Sequence, residues 1–315
     1  MDHRDLGASG ILIPPLVFGG NVFGWSADEA TSFKLLDALV AGGLNAIDTA
    51  DMYSTWVPGH KGGESETIIG KWLASRGGRD KLVIMTKVGM DMGDGKGLSA
   101  AWIKTSVERS LKRLQTDVID LYQAHKDDEE TPLEETLAAF GDLIKEGKVR
   151  AIGASNYTAE RLTAALKVSS DHGLARYVSL QPHYNLVDRP LFEADLETVC
   201  LEHGLGVIPY YSLASGFLTG KYRSEADLGK SAHRGEGAAK YLKANGPRVL
   251  AALDDVAAET KSTPAQVALA WLMARPSITA PIASASRPQQ MDDLIKACDL
   301  HLTAAQISAL DEASA

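Results

Sequence analysis

The sequence predicts an α/β chain folded as one parallel (β/α)8 barrel of the TIM type, with a β-hairpin at its N-terminus. Three observations predict it. Short β-branched apolar runs alternate with longer segments of helical period along the chain, and strand–helix alternation implies a parallel sheet. The runs number eight: Leu16–Phe18, Ala46–Thr49, Leu82–Lys87, Val118–Tyr122, Val149–Ile152, Tyr177–Leu180, Gly206–Pro209 and Thr279–Ile282. Eight units are enough to close a sheet on itself, whereas an open doubly wound sheet needs fewer. Finally, the 315 residues, 45% of them apolar, contain no low-complexity linker or charge block. Single barrels run to about 250 residues and more, so one domain over residues 1–315 is expected.

The elements follow in order. Arg4–Ile13 reads as a hairpin turning at Ala8-Ser-Gly10, placed to plug the bottom of the barrel. Ala27–Ala41 repeats apolar residues at Phe33, Leu36, Leu39 and Val40, and Ser99–Leu114 begins with a serine cap and lines Ile103, Val107, Leu111 and Leu114 on one face. Thr131-Pro-Leu-Glu134 and Ser262-Thr-Pro-Ala-Gln266 both read as capped helix starts with proline at the first helical position.

Composition narrows the function. With 32 basic and 41 acidic residues the net charge is −9, which disfavours wrapping a nucleic acid backbone and requires any anion site to be local. No stretch approaches the ~20 apolar residues of a membrane span. The charged start Met1–Leu6 lacks the apolar core of a signal peptide, so a cytoplasmic location is expected. Cys200 and Cys298 lie in apolar helical stretches and read as two buried small hydrophobes. No His/Cys/carboxylate spacing suggests a metal, and no Gly-x-Gly-x-x-Gly follows a strand.

In a barrel of this kind chemistry belongs at the C-terminal ends of the strands. Polar residues fall there: Asn21, Asp48 to Tyr53, Lys87, His125, Ser155 and Asn156, Gln181, Tyr210 and Tyr211. A strand-end lysine facing inward needs a counter-charge, and Asp48 on the neighbouring strand is its natural partner. Tyr53, on the loop curling over that rim, would sit beside the ammonium. Its anion would then be favoured and its pKa would fall from about 10, which suits a proton donor and acceptor. His125 on the next strand can offer a ring N–H to a carbonyl oxygen. Alone, an Asp–Lys pair is often only a salt bridge, and a lone rim histidine or loop tyrosine is more commonly structural; the four on three consecutive strands form a site. Further on, Ser212–Lys221 is a glycine-containing loop ending in a cation, and Ser284-Ala-Ser-Arg-Pro288 precedes a helix. Both are suited to phosphate, with Arg234 on the segment between them.

These residues carry a resemblance. Asp48-Thr-Ala-Asp-Met-Tyr53, Gly63-Glu-Ser-Glu66, Thr86–Gly89, Asp120–His125, Gly153-Ala-Ser-Asn156, Gln181–Asn185, Leu213–Tyr222 and Ala283–Gln290 occur in an order that resembles the aldo-keto reductase superfamily over nearly the whole chain. The likeness is greatest to bacterial members related to potassium-channel β-subunits. It implies an NADP(H)-dependent oxidoreductase that reduces aldehydes or ketones, reversibly and without a metal. By the resemblance, Tyr53 would be the general acid, tuned by Lys87 and Asp48, and His125 would orient the carbonyl. The nicotinamide would stack on Tyr210, its carboxamide held by Ser155, Asn156 and Gln181, with Asn21 and Val22 at its ribose side. Leu213, Gly216 and Lys221 would wrap the pyrophosphate. Ser284, Ser286, Arg287 and Gln290 would meet the adenine end and its 2′-phosphate, favouring NADPH, with NADH the alternative.

The chain departs from the common pattern at Tyr211-Ser212, Ser284, Gln290 and Leu294. Phe23, Trp25 and Trp56, on loops after the first two strands, are expected to wall the substrate pocket. The substrate would be a small carbonyl compound or alcohol, such as a sugar or an aromatic aldehyde. Two other readings stay open: a redox-sensing regulatory subunit that binds NADPH and turns over slowly, and a hydrolytic or lyase barrel without nicotinamide.

Overall fold

The computed structural model describes residues 1–231 and 233–315. A two-stranded antiparallel hairpin, β1 (Arg4–Asp5) and β2 (Leu12–Ile13), precedes an eight-stranded parallel sheet. The sheet strands are β3 (Val17–Gly19), β4 (Ala46–Asp48), β5 (Val83–Val88), β6 (Ile119–Ala124), β7 (Val149–Ser155), β8 (Tyr177–Gln181), β9 (Gly206–Val207) and β10 (Ile282–Ala283). Neighbours in the sheet follow chain order from β3 to β9, and β10 pairs with β3. The chain entering β10 reaches the other edge: Thr279 N and Ala280 N donate to Val207 O, and Ile282 N donates to Pro209 O at 2.9 Å. These bonds bring the first and last edges together, and each of the eight predicted runs overlaps one strand, the last, Thr279–Ile282, only at Ile282.

Alternation along the strands sorts residues into two layers. On β5, Ile84 and Val88 join the cluster beneath the outer helices, while Val83 and Met85 join the inner cluster with Val17, Ala46, Leu121, Ala151 and Ile208. Lys87 continues the inner set, two residues past Met85. The inner layer is therefore apolar at the bottom and polar at the top. The hairpin completes the bottom, with Leu6, Ile11 and Ile13 buried in the same inner cluster. Gly7 makes this fit possible: its φ is +55°, and an added Cβ would stand 2.1 Å from Val178 O.

The helices that matter for the site are α1 (Glu29–Ala41), α2 (Glu64–Arg76), α3 (Ala100–Leu114), α4 (Leu133–Lys145) and α5 (Ala159–His172). Ser99 caps α3 as expected, through Trp102 N. Thr263 caps the helix Pro264–Ala274 in a reciprocal box with Gln266. The expected box at Thr131 is not made. Pro132 is the N-cap of α4, without a side-chain cap bond, because the Thr131 hydroxyl donates to Asp128 Oδ2 at 2.7 Å instead. Cys200 is buried as expected, but Cys298 is only half-buried; burial pushes both thiols up to about 12. Among the described residues no helix is long and apolar enough to cross a membrane.

Candidate active site

The polar top layer gathers around Asp48. Lys87 Nζ, fully buried, donates to Asp48 Oδ2 at 2.6 Å, to Thr49 O at 2.8 Å and to the Tyr53 hydroxyl at 2.9 Å. The ammonium therefore uses all three of its protons. Asp48 Oδ1 accepts from Gln123 Nε2 at 3.1 Å and from Gln181 Nε2 at 2.9 Å. This carboxylate is 1% exposed, and its donors come from β5, β6 and β8. Burial without such partners would cost several kcal/mol.

Tyr53 OH lies 3.5 Å from Asp48 Oδ2, too long to hold its proton firmly. The phenol accepts from Lys87, and its own hydrogen, held only by this long contact, can turn to another acceptor. His125 follows β6, its ring centroid 5.9 Å from that of Tyr53 at an interplanar angle of 72°. Burial, then the charges of Lys87 and Lys126, holds its pKa well below the ordinary histidine value. The imidazole is neutral at pH 7 and has one N–H to give.

The expected direction for Tyr53 is corrected. Its pKa is raised well above the usual tyrosine value, first by burial and then by the Asp48 charge. The anion is disfavoured despite the adjacent ammonium because Asp48 neutralises most of the Lys87 field and water is excluded. Burial also lowers the Lys87 pKa, against the opposing pull of Asp48. The resting phenol is thus protonated, which is the state a general acid requires.

Around this centre the strand ends are tied together. Ser155 Oγ donates to Gln181 O at 2.9 Å. Asn156, with φ +56°, donates to His125 O at 2.8 Å and accepts from Tyr210 OH at 2.7 Å. Gln181 was expected to face a carboxamide, but its Nε2 is directed to Asp48 and Gln123, which leaves Oε1 without a hydrogen bond among the described residues. Ser284 Oγ donates to Asn21 Oδ1 at 2.8 Å, joining the ends of β10 and β3. Gln290 Oε1 accepts from Ser286 N at 2.9 Å and Arg287 N at 3.1 Å, so these two backbone donors are capped from within, while the Arg287 guanidinium has no carboxylate partner among the described residues. Leu213 is half-buried and opens a loop in which Ala214, Ser215 and Gly216 all have positive φ. An added Cβ on Gly216 would stand 3.3 Å from Lys221 Nζ, so these two adjoin.

Two of the three loop aromatics adjoin. Trp56 is 43% exposed, meets Trp25 edge-on at 5.6 Å and tilts against Tyr53 at 5.9 Å. Arg234 lies over the Trp25 ring at 4.7 Å. Asn21, Trp25, Trp56, Tyr211, Ser215 and Arg234 are among the residues lining a cavity of about 280 Å³. Phe23 is corrected: it is fully buried and stacked on Phe18 at 5.5 Å, so it belongs to the core rather than to a pocket. The Val22 side chain is likewise packed in the core. Both sit where the chain after β3 turns inward, and an apolar side chain there is drawn beneath the loop.

Gln123 was missed. Its signal was a lone amide in the apolar run Ile119–Ala124, two residues before His125 and in step with Leu121 on the inner face.

The family model described as Aldo/keto reductase family matches residues 15–315. The chain belongs to the aldo/keto reductase family. The "Uncharacterized oxidoreductase YrpG" of Bacillus subtilis (strain 168) is 36% identical to this reductase, over 96% of this chain and 92% of its own. "Protein tas" of Escherichia coli (strain K12) is 32% identical, over 96% of this chain and 94% of its own. The "Probable voltage-gated potassium channel subunit beta" of Arabidopsis thaliana is 32% identical, over 95% of this chain and 92% of its own. The reductase is an oxidoreductase of the carbonyl–alcohol type on a (β/α)8 barrel.

Proposed function

We propose that the reductase converts aldehydes or ketones to alcohols with NADPH, Tyr53 delivering the proton to the carbonyl oxygen. The observation that carries this is the Lys87 ammonium bound at once to Asp48 and to the Tyr53 oxygen, with the phenolic hydrogen engaged only by a long contact of 3.5 Å to Asp48 Oδ2. NADPH, when bound, supplies the hydride.

The residues present fit a phosphorylated dinucleotide. Lys221, Arg234 and Arg287 come from the loops after β9 and β10, and none has a carboxylate partner among the described residues, in a chain of net charge −9. Tyr210, Ser155 and Asn156 form a hydrogen-bonded ledge for the nicotinamide end. Asn21, Ser284 and Ser286 stand where β3 and β10 meet, and with Arg287 and Gln290 they would receive the adenine end.

The geometry supports the following proton step. The carbonyl oxygen would lie between the Tyr53 hydroxyl and a His125 N–H, so that negative charge building on it meets two donors. As Tyr53 gives up its hydrogen, the charge developing on its oxygen is met by Lys87 Nζ at 2.9 Å. Asp48 holds that ammonium in place, while Gln123 and Gln181 hold Asp48. Trp25 and Trp56 would wall the substrate side, which suits flat or apolar aldehydes. In the reverse direction the same groups would oxidise an alcohol.

The test is Tyr53→Phe. NADPH binding, followed by fluorescence titration, is expected to stay within about threefold, and turnover of 4-nitrobenzaldehyde is expected to fall by about 10²–10⁴. Equal turnover in the variant would refute the assignment of Tyr53.

A further inference from the structure

Between Asp48 and Tyr53 the chain carries a third acid, Asp51, which the proton step does not use. Asp51 is 1% exposed, and neither carboxyl oxygen has a hydrogen-bond partner among the described residues. Its backbone N–H donates to Lys87 O at 3.3 Å, which fixes it against β5. The titratable groups facing it are Glu66 from α2, Arg113 from α3, Lys87 from β5 and Tyr122 from β6.

Each neighbouring charge is already matched. Glu66, fully buried, accepts from Thr86 Oγ1 and from Arg113 Nε, both at 2.6 Å. Arg113 reaches it across Gly63, where an added Cβ would stand 2.4 Å from Arg113 Cδ. Lys87 is bound to Asp48. The Tyr122 hydroxyl, also fully buried, has no partner among the described residues. Two cations thus serve two carboxylates, and the third acid has no ion-pair partner of its own and no side-chain donor among the described residues; only the Met52 backbone N–H and the more distant charges of Arg113 and Lys87 favour its anion, and they are outweighed by burial and by Glu66. An ionised carboxylate in that position would be an uncompensated buried charge; the neutral acid avoids this cost.

We propose that Asp51 is a positioning residue held as the neutral acid, so that the Lys87 ammonium faces one carboxylate, Asp48, and its remaining field acts on the Tyr53 oxygen. The proposal rests on the reductase reading. Its proton takes no part in turnover: it is lost to solvent on the alkaline side and regained on return. Burial, then the Glu66 charge, pushes the Asp51 carboxyl up to about 8. When it ionises, a second negative charge joins Asp48 near Lys87. The charge that builds on Tyr53 as it releases its proton is then less well stabilised, and reduction slows.

Two measurements test this. Difference infrared spectra of the apo protein would be recorded across about pH 6 to 10. They are expected to show the carbonyl stretch of a protonated carboxylic acid that bleaches near pH 8, shifts with isotope-labelled aspartate and is missing in D51N. Steady-state reduction of 4-nitrobenzaldehyde by NADPH is expected to fall about tenfold from pH 7 to pH 9 in the wild type. In D51N, whose amide is neutral throughout, that limb is expected to disappear. A limb retained in D51N would assign it to Lys87 and overturn the proposal, as would the absence of an aspartic acid band at pH 6. The infrared titration needs no turnover, so it decides the state of Asp51 even if no carbonyl is reduced, an outcome that would sink the reductase reading instead.

Discussion

The buried acid at position 51 has a consequence for stability that can be worked through. In the unfolded chain an aspartate titrates near 3.8, and in the folded protein Asp51 is pushed up to about 8. Between these values the folded state holds a proton that the unfolded state has lost. Stability therefore falls as pH rises through the window, by about 1.4 kcal/mol per unit. Below the window both states are protonated, and above it both are ionised, so the contribution is flat on either side.

The perturbation is Asp51→Asn, which removes the titration and keeps the shape. A buried amide without partners carries its own penalty of about 1–3 kcal/mol, but that offset does not depend on pH. From about pH 5.5 to about pH 7.5 the stability of the variant relative to wild type should rise by about 3 kcal/mol. For a chain of this length that is a relative gain in Tm of about 4 °C. The assay is a thermal melt of both proteins at matched scan rate across the window, read as the difference between them so that other titrating groups cancel. A difference that stays constant would mean that Asp51 is ionised in the folded protein, and the charge count around Lys87 would be wrong.

Other outcomes follow from the same geometry. Lys87→Met leaves Asp48 buried with the two glutamine amides and the long Tyr53 contact but no cation, and should cost about 3–5 kcal/mol in urea unfolding as well as turnover; unchanged stability would argue against a closed, dry ion pair. Gly7→Ala places a Cβ 2.1 Å from Val178 O at a φ of +55°, and should destabilise by about 1–3 kcal/mol, measured by chemical denaturation. Trp56→Ala should raise KM for an aromatic aldehyde by about three- to tenfold while NADPH affinity, by fluorescence, holds; a change in cofactor affinity alone would move Trp56 out of the substrate wall.

The sequence by itself determined the barrel and pointed to a polar rim as the candidate site. A strand repeats every two residues, so Val83, Met85 and Lys87 had to share a face, and an apolar run ending in lysine announced a polar rim. The hairpin was equally legible, because Leu6, Ile11 and Ile13 are apolar on a segment too short to bury them alone. The ordered motifs from Asp48 to Gln290 carried the family. Tertiary structure decided what depends on neighbours distant in the chain. Phe23 reads as a loop aromatic, yet Phe18 and the core beneath it take its ring. Gln123 became visible only when its amide met Asp48, 75 residues away. The direction of the Tyr53 shift reversed because a pKa sums burial and every nearby charge, and adjacency to one lysine gives only one part of that sum. Asp51 is the clearest case: nothing local separates it from a solvated loop aspartate, and only the packing of α2, α3, β5 and β6 around it leaves a buried carboxyl with no side-chain partner among the described residues.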